Sequence, residues 1–183
     1  LVQGNFGTIS ECYNVGAISA VSVDAKVQAQ GAGIALSNLT QGSSSGKIEK
    51  CYAILSSFVV TGVPGSTNAP IAGGIVANNG SQVMSNCYVA ITNAITTSSG
   101  TRVGALVGMD NRGNFATYYT DNYYYLASGT LGSLGTSGTE IATKASNKND
   151  LVKNLIENFG EIYVYDTQNI NEGFPIFAWQ VQN

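Results

Sequence analysis

The 183-residue sequence contains no histidine. That removes the commonest general base and the usual nucleophile–histidine–acid triads, so any catalysis would rest on carboxylates, Lys, Tyr, Ser or Cys. A mixed Cys/His metal site is excluded too, and the three cysteines lack zinc-site spacing. Charge is scarce. Charged residues make up 10% and the net charge is −3, whereas ordinary soluble domains carry roughly a quarter charged residues. No cluster of Lys or Arg is present to neutralise phosphates, so nucleic-acid binding is not expected. No apolar run reaches the roughly 20 residues of a membrane-spanning helix. No signal peptide is present and the first residue is not Met. The chain opens on a strand and turn, Leu1-Val2-Gln3-Gly4, and reads as a mature fragment or an excised domain with further coils upstream. Asn- and Asp-rich turns offer oxygens of the kind calcium takes. But Asp110-Asn111-Arg112-Gly113 carries an arginine, and no EF-hand or nonapeptide calcium repeat occurs. No metal and no cofactor is expected.

What the sequence does have is a repeat. Ile9-Ser10-Glu11-Cys12-Tyr13 returns as Ile48-Glu49-Lys50-Cys51-Tyr52, then as Met84-Ser85-Asn86-Cys87-Tyr88, with a worn copy at Tyr119-Thr120-Asp121-Asn122-Tyr123. The period of 35 to 39 residues belongs to solenoids, propellers and arrays. A second marker precedes each Cys-Tyr segment: Leu1-Val2, Gly33-Ile34-Ala35, Gly74-Ile75-Val76 and Ala105-Leu106-Val107, each followed by an Asn/Gly- or Asp-containing turn. One unit therefore reads as small-apolar strand, polar turn, Ile-x-x-Cys-Tyr strand, variable loop. The segments are short, β-branched and aromatic, punctuated by Gly, Asn and Ser, and lack helical spacing. A propeller blade needs four antiparallel strands, and each unit supplies two or three. The expectation is an all-β fold, a parallel β-helix of about four coils, right-handed as most are. Equivalent residues would then stack one strand spacing apart, roughly 4.8 Å. Cys12, Cys51 and Cys87 form one ladder, and Tyr13, Tyr52, Tyr88 and Tyr123 another. Neighbours on a strand face opposite sides, so inward cysteines imply outward tyrosines.

The pattern Gly-Gly-Ile-Val-x-x-Asn-x-Gly…Ile-x-Asn-Cys-Tyr resembles the GLUG motif, repeated in bacterial cell-surface proteins and in the region ahead of the protease domain of some IgA-specific metalloendopeptidases. The resemblance runs from Leu1 to about Leu126 and is best from Ile71 to Tyr88. Glu11 and Lys50 stand where the motif has Asn before Cys. Asn171-Glu172-Gly173-Phe174-Pro175-Ile176-Phe177-Ala178-Trp179-Gln180 resembles the Asn-x-Gly-Tyr-Pro-Ile-Leu-x-Trp-Gln ending of such arrays. The resemblance implies a non-catalytic module at the bacterial surface or secreted, acting as adhesion surface, spacer or scaffold for a host or surface protein or a glycan. Its alternatives are an accessory domain of a larger secreted peptidase, or a carbohydrate-binding or -cleaving β-helix.

Residues 1–126 are expected to form the coils and 127–183 a small α/β cap. Ala127 to Gly138 reads as a surface crossing. Leu151, Val152, Leu155, Ile156 and Phe159 make one apolar helix face, with Asp150 as N-cap and Gly160 as stop. This helix should cover the end of coil four, with Phe159 and Trp179 as anchors, and keep the chain monomeric. The cysteines are expected to be buried free thiols, although ladder spacing permits a disulfide. The best acid pairs for glycoside chemistry are Asp110 with Asp121 and Glu11 with Glu49, but the turn position of Asp110 suits an Asx residue for backbone reasons. The tyrosine ladder is the surface feature with functional potential, either stacking on a ligand or packing between rungs.

Overall fold

A computed structural model describes residues 2–80, 82–110, 115–136 and 139–181. The first turn holds β1 (Val2–Asn5), β2 (Thr8–Ser10) and β3 (Tyr13–Val21). The second holds β4 (Gln30–Ala32), β5 (Ala35–Asn38), a small hairpin of β6 (Thr40–Gln41) and β7 (Ser44–Ser45), β8 (Lys47–Glu49) and β9 (Tyr52–Thr61). β10 (Ile71–Gly73), β11 (Val76–Asn79), β12 (Val83–Ser85) and β13 (Tyr88–Thr97) form the third. β14 (Arg102–Gly104), β15 (Val107–Met109), β16 (Tyr119–Thr120) and β17 (Tyr123–Leu126) begin the fourth. After these come β18 (Thr143–Lys144), α1 (Lys148–Phe159), β19 (Tyr163–Val164) and β20 (Ile176–Phe177).

Strands of successive turns pair in parallel, in the orders β1-β5-β11-β15, β4-β10-β14, β2-β8-β12-β16 and β3-β9-β13-β17-β18. The chain is thus a parallel β-solenoid of about three full turns, entering a fourth. The registers align the repeats residue by residue: Tyr13↔Tyr52↔Tyr88↔Tyr123 and Ile9↔Ile48↔Met84↔Tyr119. Inside, Ile48, Cys51, Ala53, Leu55, Phe58, Ile75, Val76, Met84, Cys87, Val89, Ile91 and Leu106 form one continuous buried core.

Each corner of the coil has its own chemistry. At the first, Gly33 and Gly74 bring consecutive rungs so close that the Gly33 amide donates to the Gly74 carbonyl at 3.1 Å and the Gly74 amide to the Ala105 carbonyl at 3.0 Å. A Cβ on Gly74 would lie 2.2 Å from the Ala105 oxygen, so the repeated glycine is a steric demand. At the second corner a ladder of buried amides crosses the rungs: Asn5 Nδ2 donates to Asn38 Oδ1 and Asn38 Nδ2 to Asn79 Oδ1, both at 2.9 Å. Asn79 then donates to Tyr119 Oη at 2.7 Å, and the Tyr119 hydroxyl donates to the buried Asp110 carboxylate. In-register amides thereby satisfy one another out of water. The rest of the fourth turn's corner, 111–113, lies outside the described residues.

The third corner explains the residue before each cysteine. Glu11, Lys50, Asn86 and Asp121 all take left-handed backbone, with φ of 53°, 50°, 53° and 56°. Asn and Asp tolerate that region, whereas other side chains clash there at a cost of about 1–2 kcal/mol. Two rungs therefore use the favourable residue and two do not. Lys50→Asn is expected to raise stability by about 0.5–1 kcal/mol. Denaturant titration should show the midpoint moving up with unchanged slope; a lower midpoint would mean that Lys50 makes a contact worth more than the backbone relief.

The C-terminal region does two jobs, and the helix is not where expected. At β15 and β17 the end of the fourth turn is covered by residues 127–136 and 139–145. Gly132 accepts the Ala105 amide at 2.8 Å, Ser133 accepts those of Leu106 and Val107 at 3.1 Å, and β18 adds in parallel to β17. Leu134 and Ile141 are buried in the solenoid core there. Residues 127–136 are thus part of that lid, not merely a crossing. α1 lies instead on the flank, where Leu151 and Leu155 pack with Tyr52, Ile54, Tyr88 and Ala90 on the outer face of the longest sheet. Phe159 meets Tyr123 edge-on at 5.8 Å. The apolar stripe found a second sheet face to bury rather than the coil end. Its N-cap is Asn147, whose side chain accepts the Asp150 amide at 2.9 Å, while the Asp150 carboxylate reaches back to the Ser146 amide. Asp150 is thus an acidic residue of the first helical turn, tied to the residue before the N-cap, and not the N-cap itself. Gly160 stays right-handed at φ −59°, so it provides no left-handed stop.

Candidate functional site: the aromatic seam

Outward from the solenoid, the tyrosines stack as the strand spacing dictates. Tyr13 and Tyr52 lie 5.2 Å apart at 18°, and Tyr52 and Tyr88 4.9 Å apart at 11°. Tyr52 and Tyr88 have 0% exposure, and Tyr13 has 45%. The expectation of a solvent-facing ligand ladder fails at these two central members, because the C-terminal tail lies on them. Tyr123, partly buried, meets the helix.

The tail fits this stack aromatic by aromatic. Tyr163 meets Tyr88 edge-on at 5.2 Å, and Phe177 stacks on Tyr163 at 5.5 Å and lies 4.9 Å from Tyr52. Trp179 stacks on Phe177 at 5.5 Å and reaches Tyr13 at 6.1 Å. Trp179 is 58% exposed, so Phe177 rather than Trp179 is the buried anchor. The phenol ends are hydrogen-bonded, as buried tyrosines require. Tyr52 donates to Gln180 Oε1 at 2.8 Å and accepts from Asn171 Nδ2 at 2.7 Å; Tyr88 donates to the Pro175 carbonyl; Tyr163 donates to the Asn86 carbonyl at 2.7 Å. Gln180 Oε1 also accepts the Phe177 amide at 2.8 Å.

One carboxylate shapes the segment that carries these groups. Asp166 accepts the amides of Ile170 and Asn171 at 2.7 Å and of Gly173 at 2.9 Å. Around it Asn169, Glu172 and Gly173 turn through positive φ. The spelling of the ending becomes intelligible: Asn171, Pro175, Phe177, Trp179 and Gln180 each hold a tyrosine of the ladder, and Gly173 supplies the turn. No pattern in the tail alone reveals this. The signal was in the strands, since Tyr52-Ala53-Ile54-Leu55 and Tyr88-Val89-Ala90-Ile91 are unbroken apolar runs, the mark of a strand covered on both faces.

Burial pushes the Tyr52 phenol up to about 12 and those of Tyr88 and Tyr163 well above their ordinary value of 10.0. An acid raised in the folded state binds its proton more tightly there than in the unfolded chain. The associated stability is therefore fully present below pH 10 and is lost as pH climbs through 10 towards 12 and beyond. Alkaline titration followed by tyrosinate absorbance should show a delayed, cooperative step that coincides with loss of circular dichroism. A smooth titration centred on 10 would place these phenols in water.

The cysteines form their ladder as free thiols: Cys51 and Cys87 are buried and Cys12 is exposed at the first rung. Burial of all three was expected, and Cys12 departs because its ring of neighbours is open on one side. Each Sγ points at the carbonyl two residues back, at 3.4, 3.2 and 3.3 Å for Cys12, Cys51 and Cys87. Desolvation raises the Cys12 thiol and raises Cys87 far more. In the fourth rung Asn122 takes the cysteine position, accepting the Cys87 amide at 3.0 Å and donating to the Met84 carbonyl at 3.0 Å. A thiol reagent should label one cysteine in the native protein and three after unfolding; one in both states would reveal a bridge.

Asp110 and Asp121 lie in different settings, whereas Glu11 and Glu49 are neighbours on adjacent rungs, the Glu11 amide donating to the Glu49 carbonyl at 3.4 Å. Asp110 is buried in the amide ladder, whereas Asp121 occupies the exposed left-handed corner. Glu11 aligns with Lys50, and Glu49 instead pairs with Lys47 at 2.5 Å. No helix among the described residues is long and apolar enough to cross a membrane.

No protein-family model matches the sequence, and no curated protein matches it. Among solved structures, the chain is similar to a crystal structure from Bacteroides ovatus provisionally described as an immunoglobulin A1 protease, at 18% identity and a TM-score of 0.49. The similarity covers 98% of this chain, which spans 60% of that protein's solved chain.

Proposed function

We propose that this chain is a non-catalytic module of a secreted or surface-exposed bacterial protein, serving as scaffold, spacer or adhesion surface. The observation that carries this reading is the use of the repeated side chains. The cysteine, asparagine and tyrosine of the second and third units are spent on the rungs beside them or on the tail. Repetition here maintains a shape, and a shape held at regular spacing is what a spacer or scaffold supplies. The resemblance of the repeats to the GLUG motif supports the bacterial surface as its address. The same resemblance extends to regions ahead of a protease domain, which favours an accessory role in a secreted peptidase as the second reading. Both put chemistry elsewhere.

Incubation with a panel of polysaccharides and protein substrates tests this directly. The expected result is no product. Hydrolysis that disappears with Glu49→Gln or Asp121→Asn would overturn the proposal and revive the glycosidase alternative.

A further inference from the structure

The cysteines occupy one column of the coil, bonded rung to rung. The Tyr52 amide donates to the Cys12 carbonyl and the Tyr88 amide to the Cys51 carbonyl, both at 3.1 Å, and the Tyr123 amide donates to the Cys87 carbonyl at 2.9 Å. Cys51 and Cys87 therefore stand one strand spacing apart, roughly 4.8 Å. Both are fully buried in the solenoid core. Each Sγ also lies near a carbonyl of the preceding rung, Cys51 at 3.9 Å from the Ile9 oxygen and Cys87 at 4.0 Å from the Ile48 oxygen. The two sulfurs thus sit between rungs, on the line that joins them.

The spacing falls inside the Cα separations of disulfides, about 4.4–6.8 Å, and slightly beyond their usual Cβ separations, about 3.5–4.5 Å. A bond between the two sulfurs needs the corner to draw in by less than about 1 Å. The pair is also unequal. A hydrogen bond from Cys87 holds the Cys51 thiol below its ordinary value against the cost of burial, while burial and the same contact push Cys87 well above it. Cys51 is the thiol more readily ionised, and the thiolate is the reactive form.

We propose that Cys51 and Cys87 are a latent staple between the second and third rungs, closed as a disulfide when the chain folds in the presence of a disulfide oxidant. The Cys51 thiolate attacks one sulfur of the oxidant, a small-molecule or protein disulfide, and releases its other half as a thiolate. The Cys87 thiolate then attacks Cys51 Sγ and releases the second half. Two electrons pass from the cysteine pair to the oxidant, which leaves as two thiols carrying the two protons. Both sulfurs are sealed off in the finished coil, so closure belongs to the period when the rungs are stacking. The bond ties the ends of a 36-residue loop and so restricts the unfolded chain. This inference goes beyond the scaffold reading and does not depend on it.

The test uses the full chain, produced once in an oxidising and once in a reducing compartment. Each preparation is quenched with acid, unfolded and alkylated, and the alkylated thiols are counted by intact mass. Three are expected from the reducing compartment and one, on a monomer, from the oxidising one. Met84 and Met109 are the sole methionines, so cyanogen bromide cuts between Cys51 and Cys87 but not between Cys12 and Cys51. The expected bridge holds residues 1–84 to residues 85–109 until reductant is added, and the bridged chain melts at a higher temperature than the reduced one. Cys12→Ser should leave the linkage intact. Three alkylated thiols in both preparations would overturn the proposal. So would a bridge confined to residues 1–84, which would assign it to Cys12 and Cys51, or a linkage that disappears with Cys12→Ser.

Discussion

Gly74→Ala is expected to cost about 3 kcal/mol or more, the upper end for a small-to-large change in a packed site. The added carbon would sit 2.2 Å from the Ala105 carbonyl oxygen and 2.7–2.8 Å from both methyls of Val89. Val89 can rotate, but the oxygen belongs to the backbone of the next rung and accepts the Gly74 amide at 3.0 Å. Relief therefore requires two rungs to part. A domain of this size has about 5–15 kcal/mol in total, and about 3 kcal/mol lowers its melting temperature by roughly 6–12 °C. Gly7→Ala is the matched control. Nothing lies within 4 Å of its Cβ position, so its effect should stay within about 0.5 kcal/mol. Equal melting temperatures for the two variants would show that the corner is looser than its hydrogen bonds imply.

Ending the chain at Ala145 should be the most damaging change of all. The solenoid and its covering lid remain, so no strand edge is uncovered at the fourth turn. What is lost is the second layer. Leu151, Leu155, Tyr163, Phe174 and Phe177 leave, and Tyr52, Ile54, Tyr88 and Ala90 face water. Each large side chain contributes about 1.5–3 kcal/mol when buried, so the five together rival the whole stability. The shortened chain is expected to bind a hydrophobic dye and to self-associate through its flank while keeping a β-type circular dichroism spectrum. A stable monomer without dye binding would mean that the tail is an independent unit resting on the solenoid.

Much of this architecture was legible because identical side chains recur where rungs align. The periods of Cys-Tyr and of Gly-Ile-Val set the registers, and parallel stacking follows from them. The amide ladder of Asn5, Asn38 and Asn79 could be seen as a row of turns but not as a hydrogen-bonded column, since periodicity gives alignment and not side-chain direction. The tail was harder. The stripe of Leu151, Leu155 and Phe159 says that a helix has something to bury, never against what. Two apolar surfaces competed for it, the coil end and the outer face of β9 and β13, and only the double-sided hydrophobicity of those strands distinguished them. The tyrosines misled for a related reason. Alternation does place them outside the coil, but outside a sheet is not the same as in water.

The tail's hold on the tyrosine ladder also fixes an order in time. Asn171 reaches Tyr52 across 119 residues and Tyr52 reaches Gln180 across 128. During synthesis the rungs can stack as they emerge, each on the one before. Their outer aromatic face stays bare until α1, Tyr163 and the 171–180 segment that cover it are made. At about 5–20 residues per second, the stretch after Leu126 takes roughly 3–11 s to translate. Through that interval the nascent chain is an ordered stack with one sticky side, and its closing step is the longest-range contact it makes.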